Sequence, residues 1–224
     1  MNSVKQFVHA LSKESCNQLP AVNMYAYPGV CGTNNRKLHR ANRLRRGNLL
    51  TYLNYFTRHR AAVMLVGEAP GKNGCRKTGI PFLSEALLLE GLTAQQDRFP
   101  SGLKWELPNE AFGWPVRKEP SSTILWNTLQ ANRLFPLIWN AFPFHPHQPG
   151  QPDTNRKPSR PEQQLGLEYL VKLVDLLQPQ QVVAVGRVAA ASLERSGIHH
   201  TYVRHPARGG KTAFEKGIAC ISGN

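Results

Sequence analysis

Four short runs along the chain are predominantly apolar and continuous instead of alternating: AAVMLVG (61–67), FPLIWNAF (135–142), QVVAVG (181–186) and TYVRHP (201–206). Continuous runs of this length, rich in β-branched or aromatic residues, predict strands covered on both faces, as in a parallel sheet. The segments between them carry the wider spacing of helices. RLRRGNLLTYLNYFTRH precedes the first run, and PFLSEALLLEGL and SSTILWNTLQANRL separate the first from the second. After the second comes PEQQLGLEYLVKLVDLLQ, where Ser159 and Glu162 have the spacing of a capping box and Pro161 suits a first helical turn. RVAAASLERSG and KTAFEKGIAC complete the series. Alternation of this kind predicts an α/β fold: a three-layer α/β/α sandwich on a central four-stranded parallel sheet. The expected organisation is one domain over 1–224, with 1–60 as an N-terminal helical extension packed on it.

Open parallel sheets bind ligands beyond the carboxyl ends of their strands. That rule gathers the loops GEAPGKNGCRKTGIPF, WNAFPFHPHQPG and RHPARGGKT at one edge, and with them Glu68, Phe82, Asn140, His145 and His205. A phosphate-binding Walker loop does not fit. Gly210, Lys211 and Thr212 supply its tail, but His205 stands where the leading glycine belongs, and in the first loop Gly67 to Gly71 is one residue short.

Charge narrows the partner. Lys and Arg number 28 against 14 Asp and Glu, a formal charge of +14. Such an excess points to a polyanion, nucleic acid above all. No apolar stretch approaches membrane-spanning length and no signal-peptide core is present at the N-terminus, so a cytoplasmic, monomeric protein is expected. Cys16, Cys31, Cys75 and Cys220 lack any C-x-x-C spacing, and free thiols are expected. His145 and His147 have no further ligands for zinc, so neither metal nor cofactor is expected.

The order GEAPG, TGIPF, a second-strand Asn, GR-x-AA and HPA resembles the uracil-DNA glycosylase superfamily, from about Val63 to the C-terminal helix. GEAPG is similar to an iron–sulfur branch, yet WNAFPFHPH lacks the cysteines of such a cluster, so the resemblance is to cluster-free branches. It implies a monofunctional glycosylase acting on DNA, single- or double-stranded. Such an enzyme flips out uracil or a modified pyrimidine and leaves an abasic site. A phage-defence enzyme acting on a bulky 5-modified base, or a catalytically silent DNA-binding relative, are the alternatives. Excision leaves an oxocarbenium-like sugar and an anionic base, so the enzyme must stack the base, read its edge and stabilise O2.

By that resemblance Phe82 stacks on the base; packing under the following helix is its plain alternative. Asn140 reads the base edge or ties two loops together. His205 donates to the developing oxyanion or packs against a backbone carbonyl. Gly67, Ala69 and Gly71 line the base pocket. Ala69 replaces the family's water-activating Asp or Asn, leaving Glu68, then Glu85, as candidates; Glu85 is equally an ordinary first-turn helix acid. Gly71 stands where the uracil-specific branch has a Tyr, which implies a pocket open beside C5. Arg156 and Lys157 are expected to contact the DNA backbone, and Arg208, Gly209, Gly210 and Lys211 to form a wedge entering the duplex.

Overall fold

The computed structural model describes residues 3–16, 18–27, 35–93, 99–100, 103, 105–108 and 115–223. Its strands are β1 (Ala21–Val22), β2 (Val63–Gly67), β3 (Leu137–Asn140), β4 (His145–Pro146), β5 (Gln181–Val185) and β6 (Thr201–Val203). The helices are α1 (Val4–Lys13), α2 (Asn35–Arg58), α3 (Cys75–Thr78), α4 (Glu85–Thr93), α5 (Pro120–Ala131), α6 (Arg160–Leu177), α7 (Arg187–Arg195) and α8 (Lys211–Ser222). The four apolar runs form one parallel sheet of order β3-β2-β5-β6, the centre of a three-layer α/β/α sandwich. Every residue of β2 and β3 is buried, which is why those runs show no alternation, whereas the edge strand β6 leaves Thr201 and Tyr202 exposed. Register places Gly67 opposite Asn140 at the carboxyl ends of the central pair.

Helices α6 and α7 pack on each other and on the sheet, while α5 and α8 pair separately. The segment before β2 enters the same core: Phe7 of α1 meets Trp139 of β3 with ring centroids 5.5 Å apart. Polar side chains of α2 hold the glycine-rich loop after β2. Arg45 Nε donates to the Lys77 carbonyl at 3.1 Å, and Asn48 Nδ2 donates to the Thr78 carbonyl at 2.9 Å. Gly79, at φ 81°, has no room for a side chain, because a Cβ there would lie 2.6 Å from the Arg45 carbonyl oxygen.

The antiparallel β1–β4 ribbon, unforeseen from its two-residue strands, sets His145 against the first loop. His145 is fully buried, with Nδ1 2.8 Å from the Pro70 carbonyl and Nε2 3.1 Å from that of Pro152. Burial depresses its pKa to about 4 against the opposing pull of the two carbonyls, and in the neutral ring only one nitrogen donates, to one carbonyl at a time. Among the described residues no helix is long and apolar enough to cross a membrane. Cys16, Cys75 and Cys220 are free thiols, while Cys31 lies outside the described residues.

Candidate active site

A cavity of about 540 Å³ opens at the carboxyl edge of the sheet, a volume typical of small-ligand sites. Glu68, Phe82, Glu119, Asn140, Gly186 and His205 all line it, so residues far apart in sequence converge as the strand-end rule requires.

Phe82 is held firmly in the cavity wall. Its backbone takes the left-handed conformation at φ 54°, a strained state for an aromatic residue. The carbonyl is held from two sides by α5, receiving the Ser122 hydroxyl and, at 2.8 Å, the Trp126 indole N–H. These bonds aim the ring across the end of β2, where Gly67 makes room for it. A Cβ on Gly67 would lie 2.2 Å from Phe82 Cε2 and 3.0 Å from Asn140 Oδ1. Glycine there is dictated by the approach of two pocket side chains.

Asn140 is 2% exposed, and its Oδ1 is buried with no hydrogen-bond partner among the described residues. An orphaned buried carboxamide oxygen costs about 1–3 kcal/mol, and most native groups of this kind are paired. Among the described residues no loop-to-loop bond runs through its side chain. A flip of the amide exchanges its acceptor and donor ends without changing its shape.

His205 follows β6, its ring centroid 6.0 Å from that of Phe82. The Ala207 backbone N–H donates to His205 Nδ1 at 3.1 Å, which fixes that nitrogen as the acceptor and places the proton of the neutral ring on Nε2. Burial, reinforced by Arg204 and Arg208, lowers the pKa below its ordinary 6.5. The result is an uncharged N–H donor at neutral pH. Gly186, at φ 93°, allows this approach: a Cβ on it would stand 3.1 Å from that of His205.

Glu68 is half-buried in the cavity wall; burial raises its pKa above 4.5, and Lys157 and Arg208 oppose the rise. Ala69 lines the cavity beside it without a polar group. Glu85 is elsewhere. It is buried at the start of α4, accepts the Arg117 backbone N–H at 3.3 Å and does not line the cavity, so the expected second water-activating acid becomes a helix-start acid.

The open wall expected at Gly71 is also corrected. A Cβ on Gly71 would meet Glu119 Oε1 at 2.0 Å, and one on Gly74 would meet Glu119 Oε2 at 2.1 Å. A carboxyl group fills the space that the missing side chains leave. Burial pushes its pKa up to about 7. Glu119 escaped sequence reasoning because it precedes a helix, where an acid is ordinary; the only available signal was the pair of glycines opposite.

Arg156 proves to be a structural residue. Its guanidinium clasps Glu162 through two 2.7 Å bonds and also donates to the backbone carbonyls of Pro20, His147 and Lys157. Glu162 is fully buried and accepts the Ser159 N–H, as its spacing predicts. Both Arg156 and Lys157 line the cavity, but the donors of half-buried Arg156 are engaged inside the fold, which leaves it unsuited to the phosphate contact expected of it, whereas Lys157 is exposed.

The turn after His205 is tight: Arg208 at φ 53° and Gly209 at φ 74° are exposed, and Gly210 is packed so that a Cβ would fall 2.0 Å from the His205 carbonyl oxygen. Lys211 begins α8 and reaches Glu215 at 3.9 Å, an exposed pair of little energetic weight. Among the described residues no group of three or more His, Cys, Asp or Glu is arranged to hold a metal.

No protein with a curated description matches the sequence. The chain is similar in fold to a crystal structure of wild-type SMUG2 from Pedobacter heparinus, with a TM-score of 0.58 and 13% identity over 98% of this chain and 95% of that one. A profile of the uracil DNA glycosylase superfamily matches residues 53–219, from the end of α2 to α8, and so includes the glycine-rich loop, Asn140 and His205. On that match across most of its length, the chain belongs to the uracil-DNA glycosylase superfamily.

Proposed function

We propose that this protein is a monofunctional DNA glycosylase that flips a uracil or modified pyrimidine out of DNA and hydrolyses its N-glycosidic bond. The observation that carries this reading is Asn140, a cavity-lining residue whose Oδ1 is buried against Gly67 and has no hydrogen-bond partner among the described residues. A pyrimidine stacked on Phe82 offers its Watson–Crick edge to that carboxamide, replacing an unsatisfied group with a bonded one.

In the proposed reaction the bond between C1′ and N1 breaks and its electron pair leaves with the base. His205 Nε2–H donates to O2 as negative charge accumulates there, a stabilisation made mainly in the transition state. The sugar becomes oxocarbenium-like, water adds to C1′, and the proton it loses passes through solvent to neutralise the departed base anion. Glu68 is the acid placed to orient that water and to face the positive sugar. Departure of the base leads the reaction, so a positioned water suffices without the stronger base that Ala69 replaces. Lys157, Arg208 and Lys211 supply exposed cations for the phosphate backbone, and the Arg208–Gly210 turn serves as the wedge.

The test is single-turnover release of an abasic site, read by alkaline strand cleavage, from oligonucleotides carrying uracil, thymine or 5-hydroxylated pyrimidines. The parent is expected to cleave at least one of them, and His205→Ala to be slower by roughly two orders of magnitude at similar DNA affinity. DNA binding with no abasic product from any base would establish a silent relative instead.

A further inference from the structure

Glu119 is not used by the reaction just derived, and its setting is unusual. It occupies the N-cap position of α5, where an acidic side chain ordinarily accepts a backbone N–H of the first turn. Here it makes no such bond. The side chain turns into the cavity instead, and neither carboxyl oxygen is hydrogen-bonded among the described residues. Gly71 and Gly74 leave the volume that it fills, since a Cβ on either would lie within 2.1 Å of a carboxyl oxygen. Two separate glycines and an abandoned helix cap thus deliver one acid to the base pocket.

We propose that Glu119 is a specificity-determining residue that binds a hydroxyl group carried on ring carbon 5 of the flipped pyrimidine. The assignment rests on the glycosylase reading. In that pose N1 carries the sugar, O2 faces His205, the N3–C4 edge faces Asn140 and Phe82 covers a ring face. Carbons 5 and 6 remain; carbon 6 adjoins the sugar-bearing N1, so carbon 5 is the position from which a substituent can reach another wall. A carboxyl group with two unbonded oxygens accepts hydrogen bonds from a hydroxyl in either protonation state, whereas a methyl group satisfies neither oxygen. Sites built to bond a hydroxyl discriminate strongly against analogues lacking it, because the site's own polar group is then left unpaired. A 5-hydroxymethyl group and a sugar attached through it share this chemistry.

The experiment compares the parent, Glu119→Gln and Glu119→Ala on matched oligonucleotides carrying 5-methyl, 5-hydroxymethyl and glucosylated 5-hydroxymethyl pyrimidines. Single-turnover excision is measured together with equilibrium binding to non-hydrolysable 2′-fluoro versions. The parent is expected to prefer a hydroxylated base to the methylated one, and both variants to lower that rate ratio about tenfold or more. Whichever hydroxylated base shows the larger fall in ratio identifies the source of the hydroxyl. A parent without the preference, or variants that keep the parental ratio, overturns the proposal. If no base is excised by the parent, the glycosylase reading fails, and the binding ratios decide alone: a hydroxyl preference lost in both variants upholds the role of Glu119, and equal ratios end it.

Discussion

The Phe82 ring lies where a side chain on Gly67 would begin, with Cε2 only 2.2 Å from the position of a Cβ. The two residues are fifteen positions apart in sequence, yet each fixes what the other is allowed to be. Gly67→Ala must therefore move the ring or the strand end. Buried overpacking of this kind costs about 1–3 kcal/mol, and displacement of the platform should slow excision by more than that loss of stability explains. Paired measurement of Tm and single-turnover rate, at a temperature where the variant is fully folded, checks this. A parental rate would mean that the ring's position does not govern catalysis.

Arg156 and Lys157 are sequence neighbours with opposite expectations. Arg156→Ala strands the fully buried Glu162 carboxylate and should destabilise the fold by about 3 kcal/mol. Lys157→Ala should leave Tm nearly unchanged but reduce the slope of log binding constant against log salt by about one, the value of a lost phosphate contact. Denaturation of both variants and a salt titration of DNA binding separate the roles. A reduced salt slope in folded Arg156→Ala would return that residue to the DNA interface.

Much of this fold was legible because its strands are short, apolar and covered on both faces, and the strand-end rule then gathers Phe82, Asn140 and His205 at one edge. The family resemblance, more than periodicity, singled those residues out. What remained hidden depends on side-chain direction. Nothing in the letters of PSSTILW tells that the acid before that helix turns inward, or that Ser122 and Trp126 hold the Phe82 carbonyl. Arg156 looks like its exposed neighbour Lys157 until Glu162 is placed opposite it. Glu85 likewise reads as a pocket acid by its distance from Phe82, but the direction of α4 carries it into the interior.

Glu119 should leave a signature in the pH dependence of stability. Its carboxyl has an ordinary value of 4.5 and titrates at about 7 in the fold, with burial as the cause. Between those values the folded protein holds a proton that the unfolded chain has released, so the folded state loses stability as pH rises through that window. The neighbouring titratable group, Cys75, has its own pKa pushed up by burial and stays an uncharged thiol throughout. Glu119→Gln removes the titrating proton. Its Tm relative to the parent should therefore rise between pH 5 and pH 8, by a few degrees for a shift of this order. A constant difference across that range would place the carboxyl in contact with solvent or a cation.

Asn140 allows function and stability to be pulled apart. If its carboxamide tied loops together, removing it would unfold part of the pocket and lower Tm. The buried Oδ1 has no such partner among the described residues, so an apolar side chain of similar size removes an unsatisfied group at little packing cost. Asn140→Leu is accordingly expected to keep or raise Tm while losing excision by about two orders of magnitude, since a base edge would then meet hydrocarbon in place of a hydrogen-bonding group. Asn140→Asp provides the contrast: a carboxylate at a site 2% exposed is costly, and should lower Tm at neutral pH and recover it on acidification. Thermal melts at two pH values, set beside single-turnover rates, distinguish these outcomes. A marked fall in Tm for Asn140→Leu, or retained excision by a folded Leu variant, would move edge recognition to another residue of the cavity.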